Sequence, residues 1–130
     1  MAKTNYLEDA ILNHVLRNTA YTSPAAVYVA LLTAVSDAEA GTVTEVSGGS
    51  GYTRVAATFD DPSGSGATAN SAEVAFGEAT DDNGTVTHFA IYDASTNGNA
   101  LYIAALDASF DYDTSVLPRF AAGALDVTED

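Results

Sequence analysis

The sequence predicts a mainly β fold, an antiparallel β-sandwich or barrel-like domain with one N-terminal amphipathic helix. Three observations predict it. Six short segments rich in Val, Ala, Tyr and Phe recur between turn-forming residues. Two of these segments flank Thr96-Asn97-Gly98-Asn99, whose Asn and Gly tolerate the positive φ that closes a hairpin. A helical period occurs only near the start of the chain, from about residue 5 to residue 17.

The helix comes first. Asn5, followed three residues later by Glu8, reads as a capping box, and Leu7, Ile11 and Val15 with Leu12 and Leu16 form an i, i+4 apolar stripe. Glu8 and Asp9 in the first turn and Arg17 in the last suit the helix dipole. The TAYTSP stretch at 19–24 ends the helix, because Pro24 holds Ser23 in an extended geometry. Ala26–Thr33 (AVYVALLT) is apolar at successive positions and β-branched at Val27 and Val29, the pattern of a strand buried on both faces. Further strands are expected at Tyr52–Phe59, Ala72–Phe76, Val86–Tyr92, Ala100–Leu106 and Ala124–Thr128, with Val86–Tyr92 and Ala100–Leu106 paired as a hairpin. Asp82-Asn83-Gly84 marks another turn. Ser47–Gly51 and Pro62–Gly66 read as low-bulk surface loops. The helix is then an appendage, or a plug across an open end.

The 130 residues suit one domain over 1–130, with a β portion at about 26–128. With many Ala and Val and no Trp, the core is expected to be thin and built around seven Tyr and five Phe. Absence of cysteine removes disulfides, thiolate nucleophiles and thiolate metal sites together. Acids at Glu8 and Asp9 and the breaks at Asn13 and His14 deny the N-terminus the unbroken apolar run of a secretion signal. No stretch approaches the roughly 20 apolar residues that span a bilayer.

Charge excludes more than composition does. Eighteen carboxylates face four cations, of which Lys3 is the one lysine, for a net charge of −14. Nucleic acid and anionic membranes both need Lys and Arg to neutralise phosphate, so neither is an expected partner. Self-repulsion at this charge weakens as salt shortens the Debye length.

Chemistry has few places to reside. His14 and His88 are the only imidazoles, and no nucleophile-elbow motif accompanies them, so the chain is not expected to be an enzyme. His88 falls within a strand pattern and His14 beside an apolar stripe, where packing roles are the plainer reading. Asp60-Asp61, Asp81-Asp82-Asn83 and Asp111 with Asp113 offer hard oxygens, yet none has the spacing of an EF-hand. The expectation is no cofactor and no metal site, with weak Ca²⁺ or Mg²⁺ binding as the alternative. The glycine-rich stretches have no Lys-Ser/Thr after them and lie in a negative field, which disfavours a phosphate cradle.

Several segments resemble a family. NYLEDAILNHVLRNTAYTSPAAVYVALLT (5–33), TEVSGGSGYTRVAATF (44–59), NSAEVAFGEAT (70–80), GTVTHFAIYDA (84–94) and FAAGALDVT (120–128) are similar to small structural proteins of tailed viruses, whether phages or haloarchaeal viruses, labelled as tail-fibre or head-decoration proteins. The helix followed by VYVAL is the most specific part. This resemblance implies a non-enzymatic virion protein whose partners are the major capsid protein or tail proteins, together with copies of itself. A capsid-decorating role is favoured, since no shaft repeat or coiled-coil heptad is present. Leu7, Ile11 and Val15 are the expected self-association or partner face, with the chain's own core as the competing fate of the same side chains. The alternatives are a tail-fibre or tail-tip subunit, or a glycan-binding module using Ser47–Gly51 and Asp93–Asn99. The unusual acidity relative to the family points to a halophilic host.

Overall fold

A computed structural model describes residues 1–47 and 50–129. Its elements, in chain order, are β1 (Ala2–Lys3), α1 (Asn5–Leu16), β2 (Val27–Asp37), β3 (Thr42–Glu45), β4 (Val55–Ala57), β5 (Ala67–Ala69), β6 (Val74–Ala75), β7 (Thr85–Tyr92), β8 (Ala100–Asp111), β9 (Arg119–Phe120) and β10 (Asp126–Thr128). The main sheet is antiparallel, ordered β1-β8-β7-β2-β3, and β4 also pairs with β2. It curls into a half-barrel, and α1 is the one helix described. The fold is therefore mainly β, as the sequence predicts.

Strand β2 explains the curl. Its period-2 alternation sends Val29 and Leu31 to one face and Ala30 and Leu32 to the other, and all four are fully buried. On the first face they join Val86, Phe89, Ile91 and Tyr112, covered by the small pairs β5–β10 and β6–β9, which add Val74 and Val127. The second face holds Ala90, Tyr92, Ala100 and Ile103, packed against Val35, Ala38 and Val43. Each fully buried Val, Leu or Ile contributes roughly 1.5–3 kcal/mol of transfer free energy, so this central strand anchors both layers.

The expected strands are found with changed limits. Val86–Tyr92 and Ala100–Leu106 do pair, but residues 93–99 form the whole connection and β8 runs on to Asp111. Val27–Asp37 outlasts the expected Ala26–Thr33. Tyr52–Phe59 shrinks to Val55–Ala57 plus a bridge from Phe59 to Asn70, Ala72–Phe76 to Val74–Ala75, and Ala124–Thr128 to Asp126–Thr128. Strands β1, β3, β5 and β9 were not legible, because each is four residues or fewer and gains its order from a neighbour. The β portion therefore also takes in Ala2–Lys3, outside the expected 26–128.

Two corrections concern the helix. Thr4, not Asn5, is the N-cap: its Oγ1 accepts from the Leu7 N–H at 3.5 Å while donating to the Ala100 carbonyl at 2.6 Å. A residue that caps a helix and also grips a strand has two reasons to be buried, and Thr4 is fully buried. At the other end α1 stops at Leu16, well before Pro24, because Asn18 takes a left-handed φ of 54° and the Thr19 N–H turns back to the Asn13 carbonyl.

Candidate functional site

The structure divides the helix face of Leu7, Ile11 and Val15. Leu7 is buried in the body, Ile11 is half-buried, and Val15 is exposed together with Leu12 and Leu16. Backbone bonds explain the division. Thr4 N–H donates to Leu101 and Asn5 N–H to Glu39, so the first turn of α1 is hydrogen-bonded to the body, Ile11 is partly covered one turn on, and the C-terminal turn stands clear as an appendage rather than a plug.

The acidic motifs are used by the backbone. Asp61 Oδ1 accepts from the Ser63 N–H at 2.9 Å, Asp82 Oδ1 from Gly84 at 2.9 Å, and Asp113 Oδ1 from both the hydroxyl and the N–H of Ser115. These are Asx-type turns, in which a short carboxylate stands in for a turn carbonyl. The Ser115 hydroxyl, then its N–H, holds the Asp113 carboxyl below the ordinary range. Among the described residues no group of three or more His, Asp or Glu side chains gathers as a metal site would require. His14 Nδ1 accepts from the Tyr21 N–H at 3.1 Å, and His88 Nδ1 lies 2.8 Å from the Thr87 hydroxyl, so neither is paired with a serine or carboxylate there. Loop Ser47–Gly51 contains Gly48 and Gly49, which lie outside the described residues.

Two polar clusters were not anticipated. In the first, Arg54 forks onto Glu45 through Nε and Nη2 (2.9 and 2.8 Å), donates through Nη1 to the carbonyls of Ala94 and Asn97, and stacks 3.6 Å above the Tyr92 ring. Tyr52 Oη donates to Glu45 at 2.5 Å and accepts from the Leu31 N–H at 3.1 Å. Burial, then the bond to Glu45, pushes the Tyr52 phenol well above its ordinary range. This knot ties β3, β4 and the β7–β8 loop. In the second cluster, Glu129 accepts from Lys3 Nζ at 2.7 Å and from the Tyr102 hydroxyl. Burial opposes ionisation of Glu129, but the Lys3 and Tyr102 donors outweigh it and lower its pKa. The sequence did carry one signal for both: with four cations in 130 residues, each is a scarce partner. Arg119 lies 3.9 Å from Glu73, and of the four Lys and Arg side chains only Arg17 has no described carboxylate within 4.0 Å.

Beside the second cluster lies an apolar cleft of about 380 Å³, lined by Val27, Phe59, Ile91, Leu101 and Val127 with Glu129 at its rim. An exposed apolar helix end and an apolar cleft are features through which a subunit can meet neighbours in an assembly. A family model described as "Podophage GP4 fiber I protein gp80" matches residues 2–128. The chain belongs to this family. It is a phage structural protein of the virion, and a fibre protein of this kind associates with other virion components. No curated protein matches the chain. The fibre family accounts for the resemblance of residues 5–33 and 120–128 noted above.

Proposed function

We propose that this protein is a non-enzymatic subunit of a podophage fibre or of its base, seated by contacts with neighbouring tail proteins and with its own copies. The observation that carries the reading is the fibre-family match over 2–128. Geometry supports it: the exposed half of α1 extends from a body whose acids close turns and whose histidines cap or flank backbone. The decorating role favoured by the sequence alone needs the same small, anionic block at another address, and the family's description favours the fibre. Loop Asp93–Asn99, the described part of the glycan-binding alternative, has Asp93 bound to Asn99 and two carbonyls bound to Arg54. Antibody labelling of intact particles tests the proposal. Label at the tail is the expected result, and label spread over the head would replace the fibre role with decoration.

A further inference from the structure

We infer that the free end of α1 docks into the apolar cleft of a second copy of this chain. Leu12, Val15 and Leu16 are 55%, 69% and 75% exposed, large apolar side chains on one short helix whose first turn is hydrogen-bonded to the body. Water contact at three such residues is unfavourable by roughly 25 cal/mol per Å² of apolar surface. The cleft lined by residues of β5, β10 and β8 is an apolar recess on the same molecule. At about 380 Å³ it has room for two aliphatic side chains, given that a cavity of roughly 150 Å³ accepts a benzene ring.

Charge selects the occupant. Arg17 follows directly on Leu16 and is, of the four Lys and Arg side chains, the one with no described carboxylate partner in its own fold. Exposed carboxylates Asp60, Asp61 and Asp126 adjoin the cleft-lining residues Phe59, Pro62 and Val127 in sequence, and none of the three is in a described ion pair, whereas Glu129 is already met by Lys3. An apolar knob with one positive charge beside it therefore meets an apolar hole with negative charges beside it, and both belong to this chain. Helix end and cleft are different patches, so the contact is heterologous: copy one supplies the helix, copy two the cleft, and the series closes into a ring or continues. The bodies, each at −14, repel one another, so salt should favour the contact by screening that repulsion. A basic partner protein would show the opposite salt dependence.

Sedimentation of the full chain tests this. The expected result is a mass near 13.3 kDa at low salt that at least doubles as salt and concentration rise. The double variant V15D/L16D, altered only at exposed positions, should stay monomeric, as should Ala67→Phe, which fills the cleft. Mixed one to one, the two variants should form a dimer and nothing larger, because one still has a cleft and the other still has a helix end. If Ala67→Phe lowers the melting temperature, the exposed cleft residue Pro62→Trp takes its place. Wild-type protein that remains monomeric at every salt, a blocked cleft that still associates, or a mixture that does not pair would each overturn the contact. The inference rests on the assembly role proposed above, but a failure in solution with label still at the tail would sink the contact and spare that role.

Discussion

Tyr52 lets one side chain stand in for a missing piece of strand. Strand β2 is paired by β4 at Val27–Val29 and by β3 from Leu32 onward, and the Leu31 N–H between them is met by the Tyr52 hydroxyl. The ring is held independently, stacked on Phe76 and edge-on to Tyr112. Tyr52→Phe should therefore keep the ring contacts while leaving a buried N–H unmet, at a cost of about 1–3 kcal/mol, read as a lower denaturant midpoint at unchanged slope. The same residue shapes the response to alkali. Tyr52, Tyr92, Tyr102 and Tyr112 all have raised pKa values, chiefly through burial, with carboxylate bonds adding to the effect at Tyr52 and Tyr102. An unfolded chain loses these protons near pH 10 whereas the fold retains them, so their contribution is complete below about pH 10 and is lost as pH rises beyond it. Melting temperatures measured up to about pH 11 should fall, and the decline should be shallower for Tyr52→Phe.

Among the elements, the β7–β8 hairpin was the most legible, because its alternation and its Asn97-Gly98 turn agree. Gly98 has a φ of +71°, and a Cβ there would collide with Asp93 Oδ1 and lie 2.8 Å from Ala94 Cβ. Asp93 is fixed where it is by the Asn99 N–H at 2.7 Å. Gly98→Ala should thus lower stability by about 1–3 kcal/mol, and Gly64→Ala, at a φ of +80° with open space around it, by less; thermal melts of the two variants compare them directly. The helix was legible in extent but not in fate. Its stripe of Leu7, Ile11, Val15, Leu12 and Leu16 has a regular period, yet a period says only that the residues share a face. What that face meets depends on Thr4, whose hydroxyl fastens the first turn to Ala100 in β8, while the C-terminal turn of the helix stands clear. Asn70 is another such residue. It is buried at the end of a ribbon, donates to Ala72 and Ala121, and accepts from Leu125, joining segments more than 50 residues apart that no local pattern links.

At the scale of the molecule, electrostatics and topology decide different things. A net charge of −14 makes the compact state self-repelling, so the melting temperature should rise from low salt to about 1 M NaCl, where the Debye length falls to roughly 3 Å. A flat response in differential scanning calorimetry would count against that account. Lys3 and Glu129, 126 positions apart, close the ends of the chain on one another, and Tyr102 joins them from β8. The sequence by itself determined the class of fold, the principal hairpin and the double-sided burial of β2, because these follow from local period and turn chemistry. Only the tertiary structure decided which half of the helix is free, which cation lacks a partner and where an apolar cleft opens. Those properties arise where distant segments meet, and the free energy of such meetings resides in pairs of residues that no local window contains.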